Sequence, residues 1–332
     1  MKRLLALVIA VVMSLMVGCT PQTTPVTGPS VTPTNTSGQH LTVGLTYIPD
    51  IQFAPFYVAD KRGYFAEEGV SVTLRHHGQG ESLLGALAAG QEDVVNAGAD
   101  EMLQARSQGV DVTTFGLMYQ EYPVVLIVGE DSPITSVEEL KGHSVGVPGP
   151  FGENWFALKA LLKEAGLSES DVTIEHIGYT TQAALLTKKV DAVMGFSNND
   201  VLGFADAGLP VRTYPIANNP LKSIALGALD ETITEKGPAL QSLKRALARA
   251  MDDIAADPKA AVQDCFDYLP QMSGAKKIAQ AEAVLTATAK LYGEHKLAVA
   301  PEQWPAMAQF MREAGLLEGD VDAVQAVNAL DK

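Results

Sequence analysis

Residues 44–69 read GLTYIPDIQFAPFYVADKRGYFAEEG, one apolar strand, one sharp turn and one helix in succession. The apolar run at 41–45 has the length and composition of a strand. It breaks at Tyr47-Ile48-Pro49-Asp50, and the pattern then predicts a helix over 54–68, stopped by Gly69. Pro49 has no N–H to give a strand ladder, whereas Pro55 suits the first turn of a helix. The segment carrying Tyr47, Asp50, Gln52 and Phe53 must therefore turn away at the carboxyl end of a strand. Open α/β sheets hold their ligands there.

The alternation continues along the chain. Strands are predicted at 41–45, 71–75, 93–97, 112–116 and 124–128, separated by helices at 54–68, 81–89 and 100–108. A mostly parallel sheet covered on both faces has this signature. A second series follows, with strands at 143–147, 172–175, 191–196 and 211–214 and helices starting at Ser136 and covering 153–164, 181–189 and 201–207. The apolar run at 221–229 carries the chain back, and the remainder reads as helices at 239–256, 260–268, 275–292, 301–314 and 321–330. The expected form is α/β, two lobes joined by two hinge strands. Lobe one comprises 41–128 plus 222–332, and lobe two 129–221. No short tandem repeat argues for a solenoid.

The N-terminus reads as an address. Lys2-Arg3, the apolar run at 4–17 and Met16-Val17-Gly18-Cys19 form a signal peptide over 1–18 with a bacterial lipobox, which makes Cys19 the expected lipidation site. Residues 20–40 hold seven Thr and four Pro, too little apolar surface for a core, so 19–40 reads as a lipidated tether. Cys19 and Cys265 are the chain's two cysteines. With Cys19 lipidated no intrachain disulfide can form, and Cys265 is expected in the core. The formal net charge of −15 argues against nucleic acid, which demands a basic footprint.

Hinged two-lobe proteins bind by closing, so the site is expected on strand-end loops from both lobes. Lobe one contributes Tyr47, Asp50, Gln52 and Phe53, then Gly80 and Ser82 within 78–82, then Asp100, with Tyr119 at the hinge. Lobe two contributes Phe151 and Trp155 around a Gly-Pro loop, then Asn198 and Asn199. Tyr47 and Phe53 are suited to stacking on a flat ligand, although Phe53 equally fits a hydrophobic staple. Phe151 and Trp155 fit an opposite wall, with Trp155 on a helix that also suits the core. The loops around Gly80–Ser82 and Phe151–Trp155 present helix-start N–H groups to an anion or carbonyl oxygen. Asn198 and Asn199 offer both donors and acceptors to a heterocycle edge. Asp50 is divided between an Asx turn and a ring N–H contact, and Asp200 reads as a helix cap. His76-His77 alternates across a strand and has no third ligand at a metal spacing. No nucleophile elbow, phosphate loop or Cys-Cys metal motif occurs, so neither catalysis nor a cofactor is expected.

The words Pro49-Asp50, Phe53-Ala54-Pro55, Tyr57-Val58-Ala59, Arg62-Gly63-Tyr64-Phe65 and Glu67-Glu68-Gly69-Val70 resemble the first strand and helix of a family of ABC-importer solute-binding proteins. Its members capture thiamin pyrimidines, riboflavin, alkanesulfonates, nitrate or taurine, and the resemblance extends with weaker phrases from Leu41 to Leu330. It implies a type II periplasmic-binding-protein fold, permease and ATPase partners, a monomeric body, and export to the outer face of the bacterial cytoplasmic membrane. In the thiamin-pyrimidine branch the first loop reads Trp-Phe-Pro-Asn-x-x-His-Ala-Pro. Here Tyr47, Ile48, Pro49, Asp50, Phe53, Ala54 and Pro55 stand at those positions. Phe53 in place of the His removes a polar handle and brings the loop closer to riboflavin-type binders. The family also contains an enzyme that makes thiamin pyrimidine from its own active-site His. Its Cys-rich motif is missing here, so that activity is not expected. The implied ligand is a heteroaromatic vitamin or vitamin precursor, with a small anion such as taurine or nitrate, or a sensory lipoprotein role, as alternatives.

Overall fold

The computed structural model describes residues 39–46, 48–78 and 82–330. The signal peptide, Cys19, the tether up to residue 38, Tyr47 and Gly80 lie outside the described residues. In chain order the elements are β1 (Gln39–Leu45), α1 (Ala54–Lys61), α2 (Tyr64–Glu67), β2 (Val70–His76), α3 (Leu83–Ala88), β3 (Val94–Gly98), α4 (Ala99–Ser107) and β4 (Val112–Leu117). Then come β5 (Val124–Gly129), β6 (Ser144–Val147), α5 (Gly152–Glu164), β7 (Thr173–His176), α6 (Thr181–Leu186), β8 (Ala192–Phe196), α7 (Asp200–Asp206) and β9 (Val211–Tyr214). The chain closes with β10 (Ile224–Leu229), α8 (Asp230–Ala256), α9 (Pro258–Asp264), α10 (Ala275–Leu291) and α11 (Trp304–Glu313).

Two five-stranded sheets result, in the orders β2-β1-β3-β10-β4 and β7-β6-β8-β5-β9. In the first, β1 runs parallel to β2 and β3, and β10 runs antiparallel between β3 and β4. In the second, β6 runs parallel to β7 and β8, and β5 runs antiparallel between β8 and β9. The chain passes between the sheets through 118–123 and 215–223. Residues 124–128 are expected in the first lobe, whereas β5 pairs wholly within the second sheet. All six of its residues are buried. A strand apolar on both faces fits either sheet, and only its hydrogen-bonding neighbours distinguish them.

Local chemistry accounts for the other departures. The helix expected over 54–68 is interrupted at Gly63, which takes a φ of 76° that glycine adopts without steric cost. Residues 321–330 form no helix and run along the edge of β4 instead. There the Thr114 N–H donates to Ala326 O at 3.0 Å and the Asn328 N–H to Thr114 O at 2.9 Å, which covers an otherwise open edge. Pro238 lies inside α8, and Lys236 before it leaves helical geometry, so α8 is kinked.

The first sheet is backed by α1, α8, α9 and α10 over a core containing Phe56, Leu247, Met251 and Tyr292. Cys265 is buried in it, and burial pushes its thiol pKa up to about 12. Arg62 ties α1 to this cover, bonding Asp253 at 2.6 Å and Asp264 at 2.7 Å. A second core joins α4, β5, α5 and α11, with Trp304 fully buried. A small third core around Phe204 lies under α6 and α7. Among the described residues no helix is long and apolar enough to cross a membrane.

Candidate functional site

The loops that follow β1, β2 and β3 meet those that follow β6 and β7 around a cavity of about 790 Å³, within the ~300–1,000 Å³ common for small-molecule sites. The first lobe lines it with Thr46, Gly78, Ser82, Leu83, Leu84, Ala97 and Glu101; the second with Pro148, Phe151, Gly178, Tyr179 and Thr180. Every polar contributor stands at or just beyond the carboxyl end of a parallel strand. A helix start follows in most cases, so the strand-end rule locates the cleft.

The second lobe's wall is aromatic. Phe151 is 54% exposed and Tyr179 55% exposed, although both rings are large and apolar. A flat ligand lying on them would remove that surface from water. Gly149 and Gly152 frame Phe151; Gly152 has a φ of 74°, and a side chain at Gly149 would collide with the Phe151 ring. Trp155, one turn further on, is half-buried with the Lys159 ammonium 5.0 Å over its ring and packs toward the second core.

The other candidates serve mainly to hold loops in place. Asp50 caps the 3-10 turn Ile51–Phe53, accepting from the Gln52 N–H at 3.1 Å, and burial raises its pKa. Gln52 is half-buried. Phe53 is only 2% exposed and meets the His76 ring edge-on, with centroids 5.4 Å apart. His76 Nε2 and the Tyr57 hydroxyl are 3.0 Å apart, while His77 Nε2 lies against Glu92 and Arg75, which are themselves paired at 2.6 Å. The two histidines thus join different networks. Ser82 reaches the cavity and also caps α3, accepting from the Gly85 N–H at 3.0 Å. Asn198 is buried and donates to Thr288 Oγ1 on α10 at 2.8 Å, which ties the β8–α7 loop to the first sheet's cover. Its side chain also lies beside the Tyr119 hydroxyl, whose pKa burial raises. Asn199 is exposed at the start of α7, and Asp200 accepts from the Phe196 N–H at 2.7 Å.

Beneath the cleft three carboxyls from both lobes converge. Asp100 and Glu101 open α4, and Glu153 opens α5. Asp100 accepts from the Glu101 N–H at 2.8 Å and from the Tyr122 hydroxyl at 3.1 Å; Tyr122 also donates to Glu153 O at 3.3 Å. Burial, then the neighbouring Glu101, holds the Asp100 pKa well above the carboxylate range. Glu153 is raised likewise by burial, then by Asp100 and Glu101. Ser223 is the neighbour that favours its charged form, yet neither Ser223 Oγ nor Glu153 Oε1 reaches hydrogen-bond geometry. Glu101 is raised by burial and opposed by the Gly98 N–H, which donates to its Oε2 at 3.1 Å. Among the described residues no group of three or more His, Cys, Asp or Glu is placed to hold a metal ion.

Of the residues singled out in the sequence, Ser82 and Phe151 line the cavity, and Asp100 lies beneath it beside Glu101. Thr46, Glu101, Tyr179 and Thr180 went unmarked. Tyr179 and Thr180 follow β7, to which the strand-end rule applies equally. Its four residues, two of them exposed, make it the faintest strand on that side.

A family model described as NMT1/THI5-like matches residues 50–261. The riboflavin-binding protein RibY of Chloroflexus aurantiacus is 33% identical over 298 residues, covering 87% of this chain and 84% of its own. The 4-amino-5-hydroxymethyl-2-methylpyrimidine phosphate synthase of Aspergillus parasiticus is 25% identical over 283 residues, covering 80% of each. Among solved structures, the periplasmic aliphatic sulphonate binding protein SsuA from Escherichia coli superposes with a TM-score of 0.70. It covers 88% of this chain and 92% of its own at 19% identity, a likeness that establishes the periplasmic-binding-protein fold.

Proposed function

The chain belongs to the NMT1/THI5-like family, and on that premise we propose that it is the extracytoplasmic solute-binding lipoprotein of an ABC importer. It captures a flat heteroaromatic vitamin or precursor, riboflavin or a thiamin pyrimidine such as formylaminopyrimidine, and delivers it to a permease driven by an ATPase. The observation that carries this reading is the exposed Phe151–Tyr179 wall opposite a mixed first-lobe wall of Thr46, Ser82 and Glu101 with Leu83, Leu84 and Ala97, in a cavity of about 790 Å³. The similarity to RibY supports riboflavin over the pyrimidine.

The protein works as a binder, without a catalytic step. Open and closed arrangements of the lobes are in equilibrium, and a ligand that touches both walls stabilises the closed one by its differential contact. The connections at 118–123 and 215–223 are the hinges. Capture of taurine or nitrate is disfavoured because no Lys or Arg stands among the described residues that line the cavity, while Glu101 does. Lipidation at Cys19 holds the body to the outer face of the membrane, where it works as a monomer. Radiolabelled palmitate incorporated by the full chain and lost in Cys19→Ser tests that anchor.

The binding test is a titration of the body from Gln39 onward with riboflavin, formylaminopyrimidine, taurine and nitrate, following quenching of flavin and tryptophan fluorescence. Riboflavin is expected to saturate at micromolar concentration or below. Tyr179→Ala is expected to weaken it about tenfold, an aromatic contact of ~0.5–1.5 kcal/mol. Saturation by taurine or nitrate without riboflavin binding sinks the reading.

A further inference from the structure

Among the described residues that line the cleft Glu101 is the charged one, and its two oxygens do different things. Oε2 reaches back to the Gly98 N–H at 3.1 Å, one half of a capping box at the start of α4. Oε1 has no protein donor among the described residues and lies across the lobe boundary, 3.2 Å from where a side chain at Gly152 would begin. Behind it, Glu153 is 5% exposed and its Oε1 has no hydrogen-bond partner; Ser223 Oγ and Asn154 Oδ1 also lack one. The floor between α4 and α5 therefore holds polar atoms without a hydrogen-bond partner, Glu153 Oε1 and Ser223 Oγ among them. The main influences on the three carboxyls are burial, hydrogen bonds and one another, with no cation among them.

Three carboxyls this close do not all ionise. Burial raises all three, and Asp100 at 0% and Glu153 at 5% exposure lie deeper than Glu101, which lines the cavity. Glu101 has the helix start and the Gly98 N–H to favour its anion, and the cavity to hydrate its free oxygen. Of the three, Glu101 is therefore the carboxyl best placed to carry the negative charge of the floor.

We propose that Glu101 is the specificity-determining residue of this cleft: its Oε1 accepts a hydrogen bond from a hydroxyl or N–H of a neutral ligand and repels a phosphomonoester of the same ligand. The inference rests on the binding reading above and narrows it: free riboflavin is taken and flavin mononucleotide, its 5′-phosphate, is refused. The phosphate adds a dianion to a cavity whose lining offers no Lys or Arg among the described residues. A like charge brought into such a site is rejected rather than merely tolerated.

The experiment is a paired titration of the wild-type body, Glu101→Gln and Thr46→Lys with riboflavin and flavin mononucleotide at neutral pH, at low and high salt. Gln keeps the capping hydrogen bond, so Glu101→Gln tests charge without removing the helix start. Wild type is expected to prefer riboflavin by about tenfold or more, and the preference is expected to shrink with salt. Glu101→Gln is expected to narrow the ratio through tighter mononucleotide binding. Thr46→Lys, which places a cation in the same lining, is expected to narrow it independently. Equal affinity of wild type for both flavins, or a ratio unmoved by Glu101→Gln and by salt, overturns the inference and leaves the binding reading standing. Binding of neither flavin overturns both.

Discussion

The two sheets have matching strand orders and unlike surroundings. Each has a parallel trio at one side and an antiparallel strand set inside the opposite edge. The first is backed by α8, α9 and α10, and its cleft loops are tied down by Asp50, Ser82 and the His76 and His77 networks. The second has a small outer core around Phe204 and leaves Phe151 and Tyr179 exposed. One topology thus yields a heavily backed wall of mixed polarity and a lighter aromatic one. A strand order settles where loops emerge, and the cover decides what they are free to do.

The largest test of this contrast is core truncation. Phe56→Ala, in the heavily backed first lobe, is expected to lose stability near the upper end of ~3–5 kcal/mol. Phe204→Ala, in the small core that can collapse around the gap, is expected near the lower end. Urea unfolding measures both, and equal losses would remove the distinction between the lobes.

Next is the junction beneath the cleft, which belongs to both lobes. Asp100, Glu101 and Glu153 have raised pKa values in the folded protein, so below about pH 4 folded and unfolded chains both hold these protons and the contribution is fully present. As pH rises the unfolded chain releases them first, and stability falls until the folded values are passed. Each pH unit over which the folded state holds one extra proton removes about 1.4 kcal/mol. Asp171 and Asp191 act in the other sense. Their pKa values are lowered, by the Ser168 side chain and the Ser144 backbone N–H respectively, and their contribution is lost as pH falls below about 4. Melting temperature is therefore expected to peak near pH 4 and to decline as pH rises above it. Glu153→Gln is expected to flatten the decline, and an unchanged slope in that variant would show that the junction does not carry it.

The smallest effect expected is at the tie between the lobes. Asn198→Ala removes the bond to Thr288 and is expected to cost about 1 kcal/mol, with ligand dissociation faster because one cross-lobe contact is gone. Stopped-flow release of riboflavin reads this, and an unchanged rate would assign Asn198 to loop support alone.

Much of the fold was legible because apolar runs of strand length alternate with helix-period segments, and that pattern is local. The residues following β1 through β6 could be marked as a site from their place at strand ends, and Ser82 and Phe151 do line the cavity. Phe53 illustrates the limit. An aromatic residue after a turn reads the same whether it faces a cleft or a core, and here it is packed against His76. Glu101 illustrates the converse, since its charge on a helix is ordinary until α5 of the other lobe is brought against it.

Composition and period alone establish the α/β class, the two strand-helix series, the helical C-terminal half of the first lobe and the loops from which a site is built. They do so because side-chain direction repeats every 2.0 residues in a strand and 3.6 in a helix. Which sheet receives β5, that 321–330 covers the edge of β4, and that three carboxyls meet under Phe151 and Tyr179 depend on contacts between residues far apart in the chain. Hydrogen-bond pairing, desolvation and mutual repulsion act through space, and no spacing along the sequence encodes them.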